Sequence, residues 1–432
     1  MNRTAAIAAV LLLAGCGKPS GLPASATYGP DVKLTAPDPN GPIPMLNPAK
    51  AVGWPAGGAP TAPAGFTVTR FAEGLAHPRW LYVLPGGDVL VVETNSPARP
   101  KKTLTDWVAA AMFKRAGADA PSANRITLLR DADGDGRPEL RTVFLKGLNS
   151  PFGVALVGET LYVANTDSIL AFPYAAGATA ITAAGVKVVD LPANDPNPHW
   201  ARNLLATPDG TKLYVAVGSD SNIADGGMAA EAMRANILEL TLATKAVRVF
   251  ATGLRNPNGL AFEPVTGALW TTVNERDMLG NDLVPDYMTS VKDGAHYGWP
   301  WSYYGQHVDD RVQPQRPDRV ARAIAPDYAL GAHTASLGLA FWPATTASPY
   351  AGGAVVGQHG SWNRKPVSGY KVVFVPFSGG KPAGAAQDFL TGFLDAKGQA
   401  LGRPVGVAFD QTGALLVADD VGNVVWRVSA SR

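Results

Sequence analysis

The chain has 432 residues, 46% hydrophobic and 17% charged, with 47 Gly, 36 Pro and a single Cys. Gly and Pro at this density interrupt helices too often for a helical bundle, a net charge of +2 gives no footing for nucleic acid or a polybasic membrane patch, and one Cys excludes a disulfide framework or a thiolate metal cluster. The length suits two or three domains or one large all-β architecture, with ample apolar material for a core.

At the amino terminus Arg3 supplies a positive region and Ala5 to Leu13 a short apolar run, which small residues then end. Residues 1–15 therefore read as a secretory signal, too short to span a bilayer as a mature helix. The sequence Leu13-Ala14-Gly15-Cys16 resembles the lipobox of bacterial lipoproteins, which implies cleavage before Cys16 and acylation of its sulfur. With Gly17 rather than Asp after the Cys, the resemblance implies a periplasmic protein anchored by lipid at the outer membrane. Residues 16–64 are rich in Pro, Gly, Ala, Ser and Thr and read as a tether plus an irregular strap, with Met45 and Trp54 packing down.

From Phe66 the chain repeats itself. Six segments share one plan: an apolar residue, a Gly-Leu-like turn, a short apolar strand, a Gly-containing turn, and a second strand ending near a polar residue. They run from Phe71 to Glu93, Phe144 to Asp167, Leu191 to Asp220, Phe250 to Glu275, Leu330 to His359, and Phe389 to Asp419. Each inner pair reads as a hairpin, as in Leu81-Tyr-Val, Gly86-Gly87, Val89-Leu-Val-Val. The period predicts an all-β fold, a six-bladed β-propeller of four-stranded antiparallel blades over 65–432. A pair of β-sandwiches gives no reason for one motif to recur six times. Pairing the strand at Phe66 with the one at Val424 would close the ring and remove its open edges. A helical insert is expected at about 105–117, and 296–328 reads as a long loop on the top face.

Loops of equivalent blades converge on a propeller's channel, so the repeat register brings distant residues together. The third repeat starts with Pro198-His199-Trp-Ala-Arg202, the fourth with Gly253-Leu-Arg255-Asn256-Pro-Asn-Gly-Leu-Ala-Phe, and the sixth with Gly402-Arg403-Pro-Val-Gly-Val-Ala-Phe. After the fourth repeat's second strand come Asn274-Glu275-Arg276-Asp277 and, further on, Tyr297-Gly-Trp299-Pro. One imidazole, at least two guanidiniums, amides and an acidic loop thus share one mouth. Arginines of this kind fix a small polyanion through bidentate bonds.

Over 66–430 these residues are similar to those of soluble pyrroloquinoline-quinone-dependent sugar dehydrogenases, in the sorbosone and aldose dehydrogenase branch. That family is a six-bladed propeller, and the resemblance implies oxidation of a sugar or sugar-derived aldehyde, with electrons passing to an external acceptor. His199 resembles the catalytic base. Arg255 and Asn256 resemble the pair that binds the quinone, Arg255 also stabilising charge on it, and Arg403 the arginine that meets a cofactor carboxylate. The family's cofactor calcium sits after the fourth blade, which corresponds to Asn274, Glu275, Arg276 and Asp277, although the family's Gly-Pro is absent here. Arg364 stands where a family lysine reaches the cofactor, and His333 is a further candidate for the cofactor lining.

Asp131-Ala-Asp133-Gly-Asp135-Gly-Arg-Pro-Glu139 spaces carboxylates two apart around a tight turn, as calcium loops do, but Thr142 occupies the twelfth position, so it is no EF-hand. It reads either as a structural calcium loop or as a solvated Asp-Gly turn. Tyr297, Trp299 and Trp301 read as packing for the top-face loop, and Glu73, Glu93 and Asp419 as solvated or turn-capping strand ends. Three functions stay open: a quinoprotein dehydrogenase, a calcium-dependent lactone hydrolase, and a non-catalytic binding propeller. A mouth weighted toward Arg and His favours the first.

Overall fold

The computed structural model describes residues 18–38, 45–98, 103–195, 197–344 and 348–431; the signal segment and Cys16 lie outside the described residues. Six antiparallel sheets follow one another along the chain as predicted. Blade 1 spans 78–146, blade 2 154–190, blade 3 202–252, blade 4 256–332, blade 5 336–390, and blade 6 404–430 with the N-terminal strand Phe66–Glu73 as its outermost member. That strand pairs antiparallel with Val424–Ala430, Phe66 opposite Ala430 and Glu73 opposite Val424, so the first and last strands close the ring. A ring closed this way leaves no open sheet edge between its ends.

The first strand of each blade is innermost, and neighbouring inner strands touch around the channel. Four of them carry the same Gly-[Val/Leu]-Ala pattern at Gly153, Gly259, Gly338 and Gly406. A Cβ at any of these would fall within 2.3 to 2.8 Å of backbone atoms of a neighbouring inner strand. Only glycine allows that approach, so the repeated motif is a packing requirement of the channel wall. The core lies between blades, in clusters such as Trp80, Phe144, Phe152 and Trp200 between blades 1 and 2, and Trp342, Phe389, Leu415 and Trp426 between blades 5 and 6.

Residues before the propeller bind along it as a strap. Tyr28–Gly29 adds a fifth strand to blade 4, Tyr28 opposite Leu330. Ala51 and Thr61 make bridges to Ala400 and Thr391. Trp54 stands edge-on to Phe393 and Trp426, and its indole N–H donates to Asp419 (2.7 Å). The helical insert is Leu104–Arg115, begun by a Thr103 capping box with Asp106.

Candidate active site

In each blade the loop before the inner strand and the loop after the second strand emerge at the same end of the channel. Sequence register therefore builds the mouth. Residues leading the inner strands (Arg79, His199, Arg255, Arg403) meet residues that follow the second strands (Ser219 to Asn222, Glu275 to Asp277, His359 to Asn363, Asp420). Register shifts mark the start of the inner strands of blades 1, 4, 5 and 6, between Pro78 and Trp80, Pro257 and Leu260, Ser336 and Leu339, and Pro404 and Val407. Such bulges re-aim side chains next to sites.

His199 leads blade 3. Its backbone carbonyl accepts from Nη1 of the wholly buried Arg202 (2.5 Å). A Cβ at Gly218 would lie 2.3 Å from Asn256 Oδ1 and 2.6 Å from His199 Cβ, so glycine there lets the leading residues of blades 3 and 4 approach. Nδ1 of His199 sits 2.8 Å from the Ser219 carbonyl. A carbonyl only accepts, so Nδ1 carries the hydrogen and the neutral ring keeps its lone pair on Nε2. Burial, reinforced by the positive charge of Arg255, pushes the imidazole pKa down to about 3. The ring is neutral, and able to accept a proton, throughout the physiological range.

Arg255 is buried and held on several sides. Nη1 donates to the Glu275 carbonyl (2.7 Å), and Nη2 donates to Asn222 Oδ1 (3.0 Å) and Asp277 Oδ2 (2.9 Å). Asp277 Oδ1 accepts from Asn363 (2.8 Å), and His333 Nδ1 stands 3.7 Å away. Burial alone would raise the Asp277 carboxyl; Arg255 and His333 outweigh it and hold it at about 2. His333 shows the converse: burial would lower it, but Asp277 holds it above its ordinary value while Nε2 bonds the Gly280 carbonyl (2.9 Å). Asn222 links this edge, accepting from the Asp277 amide (2.9 Å), donating to the Asp277 carbonyl (3.2 Å), and receiving the Trp299 indole N–H on its own carbonyl (3.0 Å). Asn256 reaches Asn274 Oδ1 (3.5 Å), and Asn274 donates to the Ser336 carbonyl of blade 5 (2.7 Å).

Across the mouth, blades 1, 5 and 6 build a second charged group. Asp420 accepts from Arg79 Nη1 (2.5 Å) and His359 Nε2 (2.8 Å), with His77 Nε2 at 3.4 Å. Burial would raise its carboxyl, but these partners hold it well below the carboxylate range. Burial, then Arg403, pushes His359 down to about 3. Arg403 donates to the carbonyls of His359 and Gly360 (both 2.9 Å) and lies 5.3 Å over the Tyr370 ring. The Arg79 guanidinium stands 5.9 Å from the ring of Trp200, the neighbour of His199, so the two edges meet there.

Several residues singled out in the sequence stand elsewhere. Arg364 is wholly buried, its Nε bonded to the Asn281 carbonyl (3.0 Å), Nη1 to the Pro366 carbonyl (2.8 Å) and Nη2 to Asp282 (2.8 Å); its guanidinium ties loops and strap together and does not line the mouth. Arg276 is equally buried, bonding Glu275, Asp309 and the carbonyls of Pro300 (2.7 Å) and Ser302 (2.6 Å), so it pins the 296–328 insert against blade 4. The carbonyls of Glu275 and Asp277 accept from Arg255 and from Asn222 and Arg311, while Glu275 Oε1 is buried without a hydrogen-bond partner among the described residues. Glu93 and Asp419 are not solvated: Glu93 is buried under Arg125 and Thr127, and Asp419 accepts from Trp54, Trp426 and two backbone amides. Tyr297, Trp299 and Trp301 are buried in the insert. The ligand atoms of Asp131, Asp133, Asp135 and Glu139 lie within 4.8 Å of one another. They occupy the turn between the third and fourth strands of blade 1, at the end of the propeller opposite the mouth. Asn222, Asn363, Arg79 and Asp420 went unnoticed in the sequence. Their signal was positional, since each occupies the register slot that carries a site residue in another blade.

A family model described as TrAA12-like matches residues 124–292 and 306–431, more than half of the chain. The chain belongs to the TrAA12-like family. The TrAA12-like chain is also 30% identical over 241 residues to an uncharacterized protein of Borreliella burgdorferi, a match spanning 55% of this chain and 62% of that protein. Its fold resembles the holo form of the PQQ domain of pyranose dehydrogenase from Coprinopsis cinerea (TM-score 0.69, 21% identity, 86% of this chain and 97% of that one). The calcium structure of the Trichoderma reesei carbohydrate-active enzyme of family AA12 is similar to the same degree (TM-score 0.70, 20% identity, 86% and 97%). The PQQ-bound aldose sugar dehydrogenase of Streptomyces coelicolor shares the fold more distantly (TM-score 0.54, 17% identity, 85% and 100%).

Proposed function

We propose that this TrAA12-like chain is a PQQ-dependent oxidoreductase acting on a sugar or sugar-derived aldehyde. The observation that carries the reading is His199, a neutral imidazole with Nδ1 fixed by the Ser219 carbonyl and Nε2 left to accept a proton, beside the Arg255–Asp277 pair. The quinone carries three carboxylates, and the mouth suits such a polyanion. Among the described residues, the donor Arg79 Nε is buried without a hydrogen-bond partner. Among the described residues, Arg403 commits only Nε and Nη2 to hydrogen bonds with the protein. Arg255 and Asn256 would hold the quinone from one edge and Arg403 from the other. When bound, the quinone supplies the two-electron acceptor for a hydride.

His199 Nε2 would take the proton of the substrate hydroxyl, and the Ser219 carbonyl, already accepting from Nδ1, would steady the charge that forms. Burial, reinforced by Arg255, holds that imidazole neutral beforehand, and Arg255 keeps a positive charge where negative charge develops. Calcium is proposed with the quinone, on the precedent of the calcium structure among the relatives. Asn363 Oδ1 and Glu275 Oε1, both buried without a hydrogen-bond partner among the described residues, are the donors proposed for it. A cation there supplies Lewis-acid polarisation. Acylation of Cys16 is proposed as the membrane anchor, with the protein in the periplasm.

The test is dye reduction by purified protein over a panel of aldoses and ketoaldehydes, with and without added quinone and calcium. Signal that needs the quinone and falls on chelation is expected. Lactone hydrolysis by quinone-free, calcium-loaded protein, with no quinone-dependent reduction, would replace this reading with the hydrolase.

A further inference from the structure

We infer that the end of the propeller bearing the channel mouth lies against a lipid bilayer, resting on the proposed acylation of Cys16. The chain is fastened to that end from Lys18 onward. The Lys18 carbonyl accepts from Asn281 Nδ2 (2.9 Å), the Ser20 hydroxyl donates to Asp282 (2.5 Å), and the Ser20 amide donates to the Lys365 carbonyl (2.7 Å). Residues 281, 282 and 365 belong to loops that follow the second strands of blades 4 and 5, and these loops stand at the mouth end. Two residues reach at most about 7 Å, so an acyl group on Cys16 holds this end of the molecule at the membrane surface and leaves no long tether on which to turn away.

A second observation comes from the distribution of exposed apolar side chains. Among the described residues, the exposed aromatic and methionine residues are Trp107 (60%), Phe113 (52%), Trp362, Met228, Met233 and Met278. All six lie in loops that follow the second strands of blades 1, 3, 4 and 5, and thus at the mouth end. The other exposed large hydrophobic residues are aliphatic, and Val265, in the turn between the first two strands of blade 4, marks the opposite end. Exposed Trp and Phe on a short, largely apolar helix such as Leu104–Arg115 suit the headgroup boundary, where the ring is buried and the polar edge stays wet. An anchor and an apolar rim on one end commit that end to the bilayer, and substrate and acceptor then reach the mouth along the membrane plane.

The test uses the full acylated chain reconstituted into vesicles of phosphatidylethanolamine and phosphatidylglycerol containing a nitroxide-labelled lipid. Acylation blocks Cys16, so Trp107→Cys, Met233→Cys and Val265→Cys each offer one thiol for an environment-sensitive fluorophore. Labels at 107 and 233 are expected to be quenched by the lipid nitroxide at least threefold more than the label at 265. Mass spectrometry of the N-terminal peptide and vesicle flotation are read on the same samples. An acylated, floating protein whose labels at 107 and 233 answer only to aqueous iodide overturns this inference alone. A protein without acyl groups that does not float overturns the anchor as well.

Discussion

The imidazole of His199 is shaped by two neighbours with opposite effects. The Ser219 carbonyl favours the charged ring, whereas burial and Arg255 disfavour it, and the second pair wins, lowering the pKa from 6.5 to about 3. Arg255→Gln removes the charge but keeps an amide, so the His199 pKa is expected to climb by a unit or more in that variant, read by NMR titration of labelled histidine. An unchanged pKa would show that Arg255 does not act on the ring. The shift also sets a direction for stability. A histidine whose folded pKa is depressed contributes stability that is fully present above about pH 6.5 and lost as pH falls toward 3. Arg255→Gln should lessen that acid loss, visible as a flatter dependence of the denaturation midpoint between pH 6.5 and 4.

At the level of elements, the loops after the second strands carry both chemistry and structure, and sequence position alone does not separate the two. Arg255 and Arg364 are both buried arginines bound to a carboxylate, yet Arg255 faces Asp277 at the mouth while Arg364 faces Asp282 and the strap. What divides them is the strap, whose path over the propeller leaves no periodic trace in a Pro- and Gly-rich sequence. Arg364→Gln leaves Asp282 without its cation in a buried setting, a change that costs about 3–5 kcal/mol. The expected outcome is a lower melting temperature with the quinone dissociation constant unchanged within threefold. A tenfold weaker quinone affinity at unaltered stability would instead return Arg364 to the cofactor site.

At the level of the whole molecule, the architecture was legible because ring closure imposes one rule on every blade. Four of the six inner strands pass a neighbour's backbone so closely that glycine is required, at 153, 259, 338 and 406, and the repeated Gly-[Val/Leu]-Ala pattern is that demand written in residues. His199, Arg255 and Arg403 were legible for the same reason, as the residues that lead those strands. Asn222, Asn363 and the Arg79–Asp420 pair were not, because the loops that hold them differ in length and composition from blade to blade. Their roles depend on a meeting across the channel that no local pattern records. The two halves of that meeting, the His199–Arg255 edge and the Arg79–Arg403 edge, make the mouth one cationic, hydrogen-bonded basin with His199 as its proposed base. The most direct test is quinone-dependent substrate oxidation by His199→Ala beside the unaltered protein, with quinone binding measured on both. A fall of about 10²–10⁴ in kcat with quinone affinity kept within threefold is predicted. Activity that survives the substitution would contradict the assignment of His199 as the base.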